Sequence, residues 1–150
     1  LFGEAPYRNV IVNGIILAED GQKMSKRLKN YPDPMDMANK YGADAIRYYL
    51  MSSPVVRGED ISFSEKGLDE VYNKIIARLN NVYALYELYR GGEEGNDRSE
   101  NILDRWIIAR LRELVGETSA AMDAYELDKA SKPIADFIDD LSTWYLRRSR

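Results

Sequence analysis

Helical spacing of apolar side chains from Ser64 onward constrains the fold of this chain more than any other feature of its sequence. Apolar residues from Leu68 to Leu85 recur three or four positions apart, so they line one face of a helix that extends to about Arg90. The same spacing returns over about residues 102–125 and again after Asp128, which we expect to cap a third helix. Three such helices predict an antiparallel bundle, in which each buries its apolar face against the others.

Five aromatic side chains on these helices either pack in the core or face a ligand. Tyr83, Tyr86 and Tyr89 are three positions apart, which predicts a partly buried seam against another helix, with the hydroxyl groups reaching water. Trp106 and Trp144 follow the helical spacing of their apolar neighbours, so we predict that both pack in the core. Stacking on RNA bases is the alternative, and it requires aromatic rings on an exposed platform.

The first part of the chain predicts shorter elements with extended backbone. Asn13-Gly14 lies between two runs of β-branched residues, which is a strong signal for a β-hairpin because both turn positions tolerate positive φ. Asp20-Gly21 predicts a second turn, and residues 61–63 predict a short strand.

Two short helices are predicted between these β segments. Asp33 suits the N-cap of the first helix and Pro34 suits its first position, while Gly42 suits its end. A second short helix is expected over about residues 43–51. Ser64 then suits the N-cap of the first long helix.

The composition excludes several kinds of chemistry. Neither cysteine nor histidine occurs among the 150 residues, which excludes disulfides, thiolate zinc sites and imidazole acid–base catalysis, and we predict no metal site. The formal net charge of -4 does not mark the whole chain as a nucleic-acid binder. No apolar run approaches the roughly 20 residues of a membrane span, and a cytoplasmic protein is expected. The chain lacks an initiator Met, so we expect a piece of a longer protein.

The segment with the clearest chemical meaning is residues 21–27, Gly-Gln-Lys-Met-Ser-Lys-Arg. Lys23 and Lys26 stand three apart after a glycine turn, and a flexible loop can bring such charges to a polyphosphate as negative charge develops in a transition state. Ser25 suits this loop because its side chain can bond to nearby backbone. By charge alone, a solvated basic loop is the better explanation.

Residue identity, as distinct from charge, makes this segment resemble a known family. Lys-Met-Ser-Lys at residues 23–26 is the core of the Lys-Met-Ser-Lys-Ser signature of class I aminoacyl-tRNA synthetases. Residues 41–47, Tyr-Gly-Ala-Asp-Ala-Ile-Arg, are similar to the block that follows this signature in the family. Residues 104–107 and 140–147 resemble two blocks of its helical domain. Four blocks in the family's order make the resemblance strong.

This resemblance implies a mainly α fold in three parts. Residues 1–32 would be the end of a Rossmann-type catalytic domain, residues 33–63 a stem-contact connector, and residues 64–150 the start of the helical anticodon-binding domain. The family's second signature, His-x-Gly-His, is absent because the chain has no histidine. We therefore expect the chain to be inactive alone, although its parent protein would be an enzyme.

The resemblance also implies the residues that bind ATP. Lys26 and Lys23 would be the catalytic residues, because they would stabilise phosphate charge while the amino acid is activated. Met24 and Ser25 would border ATP together with these lysines. Mg²⁺ would arrive with ATP as part of the substrate complex, with no metal bound by this chain itself.

The pair Arg147 and Arg148 is expected to contact tRNA. Arg27 replaces the final Ser of the signature, and its two candidate partners are the tRNA end and ATP. As a bare charge run, the pair is explained equally well by a solvated helix end. Residues 17–34 and 53–57 are most similar to the isoleucyl group, whose partners are isoleucine, its tRNA and ATP, and we expect a monomer. The alternatives are a valyl or leucyl synthetase and a helical RNA-binding module without catalysis.

Overall fold

The computed structural model describes residues 3, 5–91 and 99–149, and these are mainly helical. The predicted change of character at Ser64 is confirmed, since two minimal strands and two short helices precede it and long helices follow. The Ser64 side chain caps the first long helix by accepting a hydrogen bond from the N–H of Gly67. Arg150 and most of the loop predicted over residues 91–101 lie outside the described residues.

Local signals define the two short helices of the connector. Helix α1, Pro34–Tyr41, begins where the Asp33 carboxylate accepts a 2.7 Å hydrogen bond from the N–H of Met35. It ends at Gly42, whose φ of +84° is favourable only for glycine. Helix α2, Ala43–Met51, follows at once. The predicted bounds of both helices are confirmed.

The predicted hairpin at Asn13-Gly14 is wrong. Strand β1, Ile16–Leu17, instead pairs in parallel with β2, Ile61–Ser62, which lies beyond the connector helices in sequence. A Cβ atom on Gly14 would lie 1.9 Å from the carbonyl oxygen of Glu59. Gly14 is therefore required for the close approach of two backbone segments, and the sequence signal for a turn was misread.

The remaining elements form three long helical rods. In chain order they are a 3₁₀ turn (Pro54–Arg57), α3 (Glu65–Val71), a π-helical turn (Tyr72–Ile76), α4 (Ala77–Tyr89), α5 (Ile102–Asp123), α6 (Leu127–Asp139), a second π-helical turn (Asp140–Tyr145) and α7 (Leu146–Ser149). The first π turn continues α3 into α4, and the second continues α6 into α7. Helices α5 and α6 pack along each other.

Within the described ranges, every helix is too short or too polar to span a lipid bilayer.

Asp128 is not the cap of the third rod, so that prediction is wrong. Helix α6 begins at Leu127 and its N-cap position is Glu126, without a side-chain capping bond. Asp128 lies in the first helical turn, where its carboxylate pairs with Arg57 of the connector at 3.3 Å. A tertiary partner has thus taken the side chain that local capping rules assigned to the helix end.

The main core lies where the connector meets the first long helix. Its buried cluster consists of Met37, Tyr41, Ala45 and Leu68. The ring of Tyr41 meets that of Tyr72 edge to face, with centroids 6.0 Å apart. This core joins α1, α2 and α3, so the connector and the first rod form one packed unit.

The predicted burial of Trp144 and the predicted seam of three tyrosines are wrong, whereas the predicted packing of Trp106 is consistent with the structure. Trp106 is half-buried, whereas Trp144 is 47% exposed. Tyr83, Tyr86 and Tyr89 are also exposed, because no helix of the described residues covers that side of α4. They border an open groove of about 830 Å³ between α4 and the last turns of the chain.

Candidate functional site

The basic loop starts directly from the end of β1. The buried Ala18 accepts a 2.9 Å backbone hydrogen bond from Gly21, and Lys23 then forms an antiparallel bridge with Leu17. Gly21 has a φ of +78°, which confirms the turn predicted at Asp20-Gly21. The first lysine of the loop is therefore fixed beside the strand.

Asn30 closes the other side of the loop. Its Oδ1 accepts a 2.9 Å hydrogen bond from the N–H of Ser25, and its Nδ2 donates to the carbonyl of Lys23 at 3.2 Å. The carbonyl of Ser25 accepts a further bond from the N–H of Lys29 at 2.9 Å. Ser25 thus contributes through its backbone. Sequence reasoning gave Asn30 no role, although an amide, which both donates and accepts, suits this position after a polar loop.

The loop exposes four positive charges. Lys23, Lys26, Arg27 and Lys29 are all exposed. In the part of the chain that the structure describes, none of them forms an ion pair, whereas ten pairs occupy other basic side chains. Unneutralised cations on a short, braced loop are suited to bind a polyanion such as a polyphosphate.

Met24 lies beside the connector. Its half-buried side chain lines an apolar cavity of about 190 Å³ together with Pro34 of α1 and Ile46 and Leu50 of α2. A flexible thioether can adapt to such an irregular space. The side chain of Met24 therefore faces the protein, while its backbone runs beside the lysines.

A second cavity, of about 290 Å³, lies on the same side of the loop. Glu19 and Glu65 line it along with Lys29 and Asn30. The pKa of Glu65 is lowered by hydrogen bonds, first from Lys40 and then from the hydroxyl of Tyr41, so this carboxylate stays ionised at neutral pH. The charge of Glu65 is paired with Lys40 at 2.7 Å, and Lys29 lines the cavity together with Glu19, so each carboxylate has a cation nearby.

Arg147 and Arg148 belong to a different element. Both are exposed on α7, and the guanidinium carbon of Arg148 lies 4.4 Å from the ring centroid of Trp144. The structure thus gathers Lys23, Lys26 and Arg27 on one loop and places the other two predicted arginines on the last helix. Among the described residues, no three acidic side chains are grouped as a metal site.

The connector joins the two regions through a polar contact. The hydroxyl of Tyr48 on α2 donates to the carbonyl of Ser131 on α6 at 2.8 Å, and burial raises the pKa of Tyr48. Close by, Arg57 pairs with Asp128, whose Oδ1 is buried without a hydrogen-bond partner in the described part of the chain. Removing Arg57 would leave this carboxylate without its ion pair.

Two family models match the chain. The model described as tRNA synthetases class I (I, L, M and V) matches residues 1–64, which include the basic loop and the connector. The model described as the anticodon-binding domain of tRNA ligase matches residues 104–150. Residues 65–103 lie between the two matches.

Curated relatives match over the full chain. The isoleucine–tRNA ligase of Chlamydia trachomatis serovar D is 50% identical over 155 aligned residues, covering 100% of this chain and 15% of that protein. The isoleucine–tRNA ligase of Bdellovibrio bacteriovorus is 46% identical with the same coverage. The chain therefore spans 15% of the length of these relatives.

A solved structure has a similar fold. The crystal structure of a LeuRS from Agrobacterium radiobacter K84, in a ternary complex with tRNA and LeuAMS, superposes with a TM-score of 0.64. The match covers 86% of this chain and 17% of that one at 24% identity. The overlap supports the mainly helical architecture that follows the small sheet.

Proposed function

This chain belongs to the class I tRNA synthetases, and we propose that it is part of a cytoplasmic, monomeric isoleucine–tRNA ligase, which activates isoleucine with ATP and transfers it to tRNA. The observation that carries the proposal is the Lys-Met-Ser-Lys loop, in which Asn30 braces a backbone bearing unneutralised cations. The choice of isoleucine rests on 50% and 46% identity to isoleucine–tRNA ligases across the whole chain.

In the activation step, an oxygen of the isoleucine carboxylate attacks the α-phosphorus of ATP, and pyrophosphate leaves. Negative charge increases on the phosphate oxygens as the new bond forms, and we assign its stabilisation first to Lys26 and second to Lys23. The backbone of Met24 and Ser25 borders the nucleotide, since the Met24 side chain is held by the connector. Mg²⁺ accompanies ATP as part of the substrate.

In the transfer step, a hydroxyl of the terminal ribose of tRNA attacks the acyl carbon of the aminoacyl adenylate, and AMP leaves. Arg27 stands next to Lys26 on the exposed loop, where we assign it to the phosphates at the acceptor end of tRNA. Arg147 and Arg148 are assigned to phosphates of the part of tRNA that the helical domain binds. Such contacts position the RNA and carry no sequence information.

The connector gives these two sites a mechanical link. Met24 and two residues of α2 line the same apolar cavity, and Tyr48 ties α2 to α6 through its hydrogen bond to Ser131. We propose that this chain of contacts keeps the loop and the anticodon-binding helices in register while tRNA occupies both.

The decisive experiment compares Lys26→Ala with Lys29→Ala in the intact enzyme. Lys26→Ala should lower kcat/KM for isoleucine-dependent ATP–pyrophosphate exchange by about 100-fold, or about 3 kcal/mol, by analogy with the loss of one oxyanion donor. Isoleucine binding should change little, because the contact forms in the transition state. Lys29→Ala removes an equal charge from the same loop outside the signature, and its effect should be under about fivefold.

Normal exchange kinetics in Lys26→Ala would mean that the lysine is only a solvated loop charge. Aminoacylation of the tRNAs for isoleucine, valine and leucine by the intact enzyme separates the isoleucyl proposal from its valyl and leucyl alternatives. An intact protein with no exchange activity for any of the three amino acids would favour a helical RNA-binding module without catalysis.

A further inference from the structure

Trp144 lies in the second π-helical turn, beside the packed face of the last rod. The buried Ile138 and the half-buried Tyr145 are seven positions apart and so share that face. The packed face continues at Tyr145 and Leu146, which are half-buried, and Trp144 is left 47% exposed.

Arg148 fixes one side of the exposed ring. Its guanidinium carbon lies 4.4 Å from the ring centroid of Trp144, one helical turn away. Such a cation–π contact holds the indole in one orientation while much of its surface stays open to solvent. An oriented aromatic ring beside arginine is the arrangement on which proteins stack unpaired nucleic-acid bases.

The charges around Trp144 favour an anionic partner. Arg147 and Arg148 form no ion pair with any described residue, and Asp139 and Asp140, which precede Trp144, are both paired with arginines of other helices. No free carboxylate from these positions opposes an incoming phosphate. A protein segment over Trp144 would have to bury or neutralise both arginines, whereas the phosphates flanking an RNA base neutralise them directly.

We propose that Trp144, Arg147 and Arg148 form a stacking site for one unpaired base of RNA, with the arginines holding the phosphates on either side of that base. The proposal rests on the proposed function, because the RNA is taken to be the loop of a tRNA bound by the helical domain. Trp144 supplies stacking, so the site favours an unpaired base over a paired one without reading its edges.

The first test measures the affinity of the intact enzyme for an anticodon stem-loop RNA of the cognate tRNA. Trp144→Leu should weaken binding by about tenfold or more, since stacking of one base on an aromatic ring contributes on that scale. Trp144→Phe keeps an aromatic face and should remain within about threefold of the original enzyme. Tyr86→Leu is the matched control, since it removes a similarly exposed ring from another helix, and it should leave the affinity unchanged.

The second test uses the unaltered enzyme and so does not depend on the folding of a variant. Stem-loop RNAs that lack one loop base each, but keep every phosphate, should bind normally except at the stacked position. At that position the loss of affinity should equal the loss caused by Trp144→Leu. When the abasic RNA is combined with the Trp144→Leu enzyme, binding should weaken almost no further. If every abasic RNA binds as well as the complete one, or all weaken binding equally, the stacking site does not exist.

A third measurement separates this inference from the proposed function. Isoleucine-dependent ATP–pyrophosphate exchange needs no tRNA, so it should be normal in Trp144→Leu even where RNA affinity is low. Loss of exchange in Trp144→Leu would mean that Trp144 packs against another part of the enzyme, which overturns the inference. No exchange in the original enzyme would refute the proposed function, while the RNA measurements would still decide the stacking site.

Discussion

The two regions of this chain are held together in different ways. Up to about residue 63, polar side chains bond mainly to backbone: Asp60 accepts from the N–H of Ile15 at 2.7 Å, and Asn30 bonds to both sides of the basic loop. Among the described residues of the helical region, three side-chain pairs also bond across helices, and one of them joins Tyr145 to Asp104 at 2.8 Å. Side-chain bonds in the first region hold irregular backbone in place, and the bonds between helices in the second region hold the rods in position relative to one another.

This difference follows from what each region must present. A loop that brings cations to a phosphate needs a defined backbone path, which side-chain amides and carboxylates supply by replacing missing backbone partners. A helix already forms its backbone hydrogen bonds internally. What must still be fixed is its rotation and position relative to its neighbours, and side-chain pairs between helices fix these. Substitutions should therefore have unlike effects in the two regions.

The largest effect on stability is expected when a glycine of the first region is replaced by alanine, and a glycine of the helical region provides the comparison. Gly14→Ala should destabilise the fold by about 3 kcal/mol or more, because the new Cβ would overlap the Glu59 carbonyl and force the backbone segments apart. Gly116→Ala, in the middle of α5 with open space around its Cα, should stabilise by about 0.5–1 kcal/mol. Urea unfolding of the chain measures both. Equal changes in the free energy of unfolding at the two positions would show that the two regions do not differ in their response to substitution.

The next effect concerns the loop itself. Asn30→Ala leaves the N–H of Ser25 and the carbonyl of Lys23 without their partner, so the lysines lose their defined path. In the intact enzyme, kcat for isoleucine-dependent exchange should fall by about tenfold, which corresponds to about 1.4 kcal/mol. Asn73→Ala is the control, because among the described residues the Asn73 side chain bonds only to Asp69, one turn away on the same rod. Unchanged exchange in Asn30→Ala would show that the loop keeps its path without the amide.

Elements defined by local chemistry could be predicted from the sequence, and those defined by distant contacts could not. Asp33 and Gly42 determine the bounds of α1 within a few residues of themselves, and both predictions are confirmed. Gly14 is constrained by Glu59, 45 positions away in the chain, which no local pattern reveals. Trp144 was predicted to be buried from its helical spacing, which does not show which side of a helix its neighbours cover.

The same division applies to the candidate site. The loop lysines were found by residue identity, and their exposure is confirmed, while their roles stay predictions. The brace from Asn30, and the place of Met24 at a cavity that α2 also lines, depend on how the loop folds back onto the connector. A linear sequence shows that these residues are near each other but not that they bond.

A smaller effect is expected at the basic end of the helical region. Arg147→Ala should weaken tRNA binding by about two- to fivefold and reduce the slope of log affinity against log salt by about 1, since one phosphate contact is lost. The loss should be equal for cognate and non-cognate tRNA, because phosphate contacts carry no sequence information. Salt titrations with the tRNA for isoleucine and one unrelated tRNA check this. A loss confined to the cognate tRNA would mean that Arg147 reads a base.

The smallest expected effect is a pH dependence at the joint between α5 and the second π turn. Hydrogen bonds from Ser99 first, and from Tyr145 second, lower the pKa of Asp104. The stability from this group is present above the unfolded pKa of about 4 and is lost as the pH falls through the lower folded value. Burial, followed by the hydrogen bond to Asp104, raises the pKa of Tyr145, so stability should also fall as the pH rises above about 10.

Tyr145→Phe tests both the acid limb and the alkaline limb of the stability–pH profile in a single variant. It removes one of the two hydroxyls that bond to Asp104, so it should cost about 0.5 kcal/mol at neutral pH and make stability fall less steeply below pH 4. The alkaline limb should lose the contribution of Tyr145, since Phe cannot ionise. Tyr125→Phe, which removes the hydroxyl of an exposed tyrosine elsewhere in the helical region, is the control. Urea unfolding between pH 3 and 11 measures the two limbs, and identical profiles for Tyr145→Phe and the original chain would show that side-chain bonds between helices do not hold this joint.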